Sequence, residues 1–262
     1  MPSFTHSPLA LYVLLACLHV ALLGLLIVRG NWRSYPNFTT YVFLNLVQGA
    51  VLIFIYGSYG ALSPVAEHLA WGTQAAILCA RALAINEMCR RLLGRYPGIW
   101  GLAWRILATL CMLLAFFSIS SARWKWERIV SNADLGLEFT IVAALTALFL
   151  FARYYGLMVN HNLRLLSFGF LFLSCVNVLK DAVLTHVAAG YEEMWNLLGA
   201  LSFSATLVLW IWAMRQPMSA ESFAAVPEDR SIYRSLSPEV NLRLQLLNES
   251  LRSFFDQEAR ES

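Results

Sequence analysis

The sequence is poor in charged residues, and those it has are unevenly distributed. Of 262 residues only 13% are charged, while 59% are hydrophobic and the mean hydropathy is +0.59. So little charge and so much apolar character are not typical of a soluble domain. The positive net charge belongs to residues 1–214, because residues 215–262 carry more acidic than basic side chains. This distribution argues against a nucleic-acid-binding domain, and no nucleic-acid partner is expected.

Proline is missing from every long apolar stretch, although the chain has eight prolines. Many secondary transporters build their sites at broken helices, so uninterrupted stretches weigh against that design. The five cysteines, in contrast, all lie inside apolar stretches. They are expected to act as small packing residues, not as disulfide partners.

Motifs for enzymatic chemistry are also missing. The sequence contains no phosphate-binding glycine loop, no G-x-S-x-G elbow and no pair of histidines spaced i, i+4 for a metal ion. We therefore expect neither catalysis nor a metal or other cofactor.

Seven long apolar stretches dominate what remains. A helix needs about 20 apolar residues to cross the hydrocarbon core of a bilayer. The stretches are continuous and do not alternate with polar residues, which predicts helices and excludes the strands of a barrel. The sequence thus predicts an all-α, polytopic seven-transmembrane-helix bundle over residues 1–215, with the lipid bilayer as its solvent. The seven stretches are residues 9–28, 41–60, 66–92, 99–119, 133–151, 165–187 and 195–214.

Basic residues predict the orientation of this bundle. Short cytoplasmic loops are enriched in Lys and Arg. One set of loops and flanks holds most of the arginines, whereas the other holds Arg123, Lys125 and Arg128 in a single loop. The N-terminus is therefore expected outside and the C-terminus in the cytoplasm, in the cell (inner) membrane. The nine tryptophans fall near the ends of the stretches, as expected for indoles at the headgroup boundary.

Polar residues inside the stretches are the candidate site. Charge at membrane depth is costly, so such residues usually face the protein interior and find partners. Arg81 and Asp181 are at similar predicted depth, which predicts an ion pair between the third and sixth helices. The network has two interpretations: structural hydrogen bonding between helices, or a pocket for a small charged or zwitterionic ligand. Its predicted members are Asn45, Gln48, Gln74, Arg81, Glu138, Asn177, Lys180 and Asp181.

The fifth stretch and the inner end of the third stretch add further charged residues. Asp134 and Glu138 lie one turn apart near the outer end of the fifth stretch. Glu87 and Arg91 are also spaced i, i+4, which predicts a local ion pair at the inner membrane boundary.

The last part of the chain predicts a short cytoplasmic amphipathic helix. Residues 216–236 are expected to form a flexible linker, and residues 237–262 a helix and tail. A helix this short is marginal alone, so its apolar seam must pack against something. Because the tail is net acidic, a protein partner or a homodimer is favoured over the membrane surface; docking onto the protein's own loops is the alternative. The seam consists of Val240, Leu244, Leu247, Leu251 and Phe254.

Residues 87–98 carry a resemblance to a known group. With Arg90-Arg91-Leu92 and Tyr96-Pro97-Gly98, the segment resembles a helix boundary in uncharacterised seven-span bacterial integral membrane proteins. Those proteins often end in a short amphipathic helix and carry no established activity. The leading hypothesis is a sensor or receptor-like membrane protein. The alternatives are a transporter or channel for a small polar solute, and a structural subunit of a membrane complex.

Overall fold

The computed structural model describes residues 7–60, 63–94, 97–122, 125–154, 159–186 and 192–215, together with residues 242, 246, 249 and 250 of the tail. These residues form helices and contain no strand. Seven helices are long and one is a single turn. Their bounds are α1 Ser7–Val28, α2 Asn31–Ser34, α3 Pro36–Tyr59, α4 Pro64–Leu93, α5 Pro97–Ser121, α6 Trp126–Tyr154, α7 His161–His186 and α8 Glu192–Ala213.

Proline marks where helices start. Pro36, Pro64 and Pro97 are the first residues of α3, α4 and α5. Proline suits this position because its fixed φ is helical and its missing N–H would have no partner there. Between α1 and α2 the chain turns at Gly30, whose φ of 72° lies in the left-handed region that glycine tolerates. The helices themselves are uninterrupted.

Six of the long helices form a closed ring. Going round it, α1 packs on α3, α3 on α4, α4 on α6, α6 on α7, α7 on α8, and α8 back on α1. Helix α5 lies outside this ring, mainly against α6. The buried core fills the middle of the ring, where Leu22, Phe38, Leu145 and Trp210 are completely or almost completely inaccessible.

The outer surface of the bundle is apolar. Five helices, α3, α5, α6, α7 and α8, are long and apolar enough to cross a membrane. Large side chains such as Met112 and Phe116, both 72% exposed, point away from the protein. A water-soluble protein rarely exposes so much continuous apolar surface, which lipid covers at no cost. The chain is therefore a multi-pass, helical membrane protein.

Helices α1 and α4 are not among these five. The described apolar part of α1, Val13–Val28, is shorter than the others. Helix α4 is the least hydrophobic of the long helices because it carries Glu67, Gln74, Arg81 and Glu87. Length and composition therefore identify five spans among the described residues, fewer than the seven that the sequence predicts.

Candidate functional site

The site is centred on an ion-pair triad between α4 and α6, in which Arg81 and Glu138 are buried and Asp134 is half-buried. The Arg81 guanidinium of α4 donates through Nη2 to Oδ1 of Asp134 at 3.0 Å and through Nη1 to Oε1 of Glu138. Arg81 is 6% exposed and Glu138 only 2%. Asp134 and Glu138 are one turn apart on α6, so both carboxylates reach the same guanidinium. Pairing of this kind makes buried charges tolerable in a low-dielectric interior.

Amide side chains extend the triad to neighbouring helices. Gln74 Nε2 donates to Oδ2 of Asp134 at 3.1 Å, and Asn177 Nδ2 of α7 donates to Oε1 of Glu138 at 2.7 Å. Gln48 of α3 donates to Gln74 Oε1 at 3.2 Å and also lies 3.3 Å from the Thr73 hydroxyl. Four helices, α3, α4, α6 and α7, are thus joined by one polar network.

The predicted ion pair between Arg81 and Asp181 is wrong. Both terminal nitrogens of the Arg81 guanidinium donate to residues of α6, whereas Asp181 lies on α7 next to Lys180. The reason is the helix order: α4 packs along α6 but touches α7 only briefly. Counting residues from the membrane boundary estimates depth, but depth does not say which helices are neighbours.

A polar cleft opens beside this network, between α3, α4, α7 and α8. Its volume is about 270 Å³. Asn45 faces it while donating to the Tyr41 carbonyl of its own helix at 2.8 Å, so Asn45 joins the site without bonding across helices. The lining residues are Tyr41, Asn45, Gln74, Ile77, Arg81, Leu173, Asn177, Lys180, Asn196, Gly199, Ala200 and Phe203.

Lys180 differs from Arg81 in its bonding. Within the described part of the chain, its ammonium makes no hydrogen bond or ion pair, although it interacts electrostatically with Asp134 and Asp181. Two atoms of the triad also keep free bonding capacity: Arg81 Nε and Glu138 Oε2 are buried and bond to nothing among the described residues. Buried polar atoms are usually satisfied, so this network is not saturated by its own helices.

An aromatic cluster fills the bundle below the cleft. It consists of Phe38, Tyr41, Phe170 and Trp210, with the Trp210 ring 4.7 Å from Phe170 and 5.1 Å from Phe38. Tyr41 belongs to both the cleft and the cluster, and its ring lies 5.5 Å from Phe170. The cleft is therefore at the end of the ring where α4, α6 and α8 begin, and the cluster lies toward the end where α8 finishes.

Trp210 was expected at the membrane boundary with its N–H in water. It is instead completely buried, and its indole Nε1 donates to the Leu166 carbonyl at 3.2 Å. Gly169 makes this possible, since a Cβ at that position would be 2.3 Å from Nε1. An indole satisfied by a backbone carbonyl packs well inside a protein.

A second polar cluster lies near the end where α4 and α8 finish. Glu87 pairs with Arg91 at 3.8 Å, which confirms the predicted i, i+4 pair. Its other oxygen, Oε2, accepts from the Phe38 amide at 3.1 Å and so caps the N-terminus of α3. The Arg91 guanidinium lies 4.2 Å from the centre of the Tyr35 ring, and burial raises the pKa of the Tyr35 phenol, which keeps it neutral.

A buried asparagine ties α2 to the end of α8. Asn31 Nδ2 donates to the Met214 carbonyl at 3.2 Å and lies 3.5 Å from its sulfur. No pattern in the sequence identifies this contact, because the two residues are 183 positions apart.

The cysteines, the possible metal ligands and the seam of the tail helix are the remaining groups for which the sequence makes a prediction. All five cysteines are free thiols, and Cys89 alone among them is buried. In the described ranges, no three His, Cys, Asp or Glu side chains come together as metal ligands. The seam residues Val240, Leu244, Leu247, Leu251 and Phe254 lie outside the described residues; Leu242 and Leu246 beside them are helical and exposed.

The chain matches no protein-family model, no curated protein and no solved structure. The resemblance to seven-span bacterial membrane proteins therefore stays a prediction, and the function is inferred from the chain's own geometry.

Proposed function

We propose that the protein is a seven-span, receptor-like sensor of the cell membrane that binds a small polar ligand in the cleft. Helix α8 carries this proposal. Its first half lines the cleft through Asn196, Gly199 and Phe203, and its last turn ends at the start of the cytoplasmic tail. Between the cleft and the end of α8, the buried Trp210 ring packs into the aromatic cluster.

The count of seven spans rests on how α1 and α4 pack. At 22 residues α1 is about 33 Å long, enough for a hydrocarbon core of about 30 Å. Helix α4 packs on α3 and α6, both of which are candidate spans. A helix held between two spanning helices lies at their depth, and its polar residues then face the ring instead of lipid.

The N-out orientation is supported by the described basic residues. Arg29, Arg33 and Arg90 lie at the end where α8 finishes, whereas Lys125 and Arg128 lie at the cleft end. Positive charge favours the cytoplasmic side. In this orientation the cleft faces the exterior and the tail is cytoplasmic.

A conformational link from the cleft to the tail is the physical content of the sensor proposal. A ligand in the cleft contacts its Tyr41 wall, and Tyr41 packs on Trp210 at 6.1 Å between ring centres. Trp210 is in the last turn of α8, and its carbonyl accepts from the amide of Met214 at 3.0 Å; Asn31 in turn holds Met214. A ligand that prefers one arrangement of α8 therefore shifts its last turn.

Filling the cleft by substitution tests this link. Gly199→Leu places a leucine side chain in the cleft, and Ala205→Leu builds the same side chain on the exposed face of α8. In nanodiscs, Gly199→Leu is expected to change amide hydrogen exchange in α2 and in the last turn of α8, whereas Ala205→Leu leaves both unchanged. Equal exchange in the two variants contradicts a link from cleft to tail.

Transport is the competing function, and flux distinguishes it. Radiolabelled amino acids are offered to proteoliposomes of the intact protein. A receptor gives no uptake above empty vesicles. Uptake that Gly199→Leu blocks and Ala205→Leu does not would replace the receptor proposal with a transporter.

A further inference from the structure

We propose that Lys180 binds the carboxylate of a small zwitterion of amino-acid size; this deepens the proposed function and rests on the cleft being its ligand site. The cleft is lined by two charged residues, Arg81 and Lys180. Arg81 is held by two carboxylates. Lys180 is the lining cation whose ammonium has no bonded partner in the described ranges.

The space around Lys180 fits such a ligand. A Cβ on Gly199 would lie 3.8 Å from Cδ of Lys180, so the lysine stem runs beside a position without a side chain. Ala200 and Asn196 of the same helix also line the cleft. A volume of about 270 Å³ is at the small end for ligand pockets. A ligand of amino-acid size fits a volume of this order.

Charge balance selects a zwitterion over a simple anion. The triad of Arg81, Asp134 and Glu138 has a formal excess of one negative charge, which Lys180 balances. A simple anion adds negative charge to this balanced group. A zwitterion adds no net charge, and the negative triad stabilises its ammonium. A phosphate dianion would add two negative charges to the same group, so it is favoured even less than a carboxylate anion.

The sequence offers an internally controlled test, because Lys125 and Lys180 are its only lysines. Lys125 is exposed between α5 and α6, away from the cleft residues. The full chain in nanodiscs is acetylated with an amine-reactive ester, and the rate at each lysine is followed by peptide mass spectrometry. An added amine that consumes the ester lowers the acetylation rates of both lysines by the same factor. The ratio of the Lys180 rate to the Lys125 rate therefore reports protection of Lys180 alone.

The probes are the twenty protein amino acids and trimethylglycine, with acetate and ethanolamine as the two separated halves of a zwitterion. At least one zwitterion is expected to lower the Lys180/Lys125 ratio about tenfold at ten times its apparent Kd. Acetate and ethanolamine protect far less. Protection by no zwitterion, or equal protection by acetate or ethanolamine, overturns the proposal.

Substitutions separate binding from folding and from signalling. The protecting zwitterion is expected to raise the melting temperature of the native chain and of Lys125→Gln, but not that of Lys180→Gln; Lys180→Arg retains part of the shift. A shift that persists in Lys180→Gln assigns the ligand to other residues. If Lys180 is protected yet exchange at the end of α8 does not change, the ligand assignment stands and the sensor proposal fails.

Discussion

At the scale of single residues, Arg81 is the cation that pairs with both carboxylates of the triad. Replacing it by methionine leaves the buried Glu138 and the half-buried Asp134 without the guanidinium that pairs with both. We expect Arg81→Met to destabilise the bundle by about 3–5 kcal/mol, since breaking one side of a buried ion pair strands the other. Thermal unfolding in detergent measures this loss.

The matched control is Arg90→Met, on the same helix but exposed, which should leave the melting temperature nearly unchanged. Neutralising the partners as well, with Asp134→Asn and Glu138→Gln in the Arg81→Met background, should recover most of the stability. Equal melting of Arg81→Met and Arg90→Met would show that the triad does not stabilise the fold.

Gly169 is a residue whose importance depends on one neighbour. Because its added Cβ would lie 2.3 Å from the Trp210 indole nitrogen, Gly169→Ala forces the ring away from Leu166. A loss of about 1–3 kcal/mol is expected for such overpacking. Gly49→Ala in α3 meets nothing within 4 Å and should be neutral or stabilising by about 0.5–1 kcal/mol. Comparable melting temperatures for both variants would argue against close packing of α7 on α8.

At the scale of helices, Glu87 shows how one element caps another. Its carboxylate, from α4, accepts the Phe38 amide in the first turn of α3. Glu87→Ala should cost about 1–2 kcal/mol and speed hydrogen exchange at the start of α3, because a first-turn donor loses its acceptor. Glu87→Gln keeps an acceptor and should lose less than half as much. If Gln and Ala variants exchange equally, the charge at the helix N-terminus matters and the hydrogen bond does not.

Helix α5 differs from the others in its partners. It lies outside the ring, packs mainly on α6 and exposes most of its large apolar side chains. None of the residues that line the cleft is on α5. Its contribution is therefore to the lipid-facing surface and the support of α6, which carries Asp134 and Glu138.

At the scale of the whole molecule, the orientation is the property that every functional proposal requires. In a cysteine-free background, Lys125→Cys at the cleft end and Ser219→Cys after α8 report the two sides of the membrane. An impermeant maleimide added to intact cells is expected to label Lys125→Cys at once. It should label Ser219→Cys only after permeabilisation. The reverse pattern would place the cleft in the cytoplasm and exclude an external ligand.

The sequence by itself determined the helices and the types of residue in the site. Continuous apolar stretches of about 20 residues form helices in lipid, so each of the seven is part of a long helix, although α3 and α6 begin five and seven residues earlier than predicted. Local pairs such as Glu87 with Arg91 were also predictable, because helix geometry sets which side chains meet at i, i+4. Glu138, Asn177, Gln74 and Gln48 were recognised because polar groups at membrane depth are rare.

Only the tertiary structure decided which helices are neighbours. Periodicity gives the helix face and the membrane depth of a side chain, but it does not give the order of the helices around the ring. Depth alone therefore predicts Asp181 as the partner of Arg81, whereas the packing of α4 on α6 makes Asp134 and Glu138 its partners. For the same reason, the contacts of Trp210 with Gly169 and of Asn31 with Met214 are not predictable from the sequence. Contacts between distant segments depend on the packing of all the helices together, and no single segment of sequence encodes that packing.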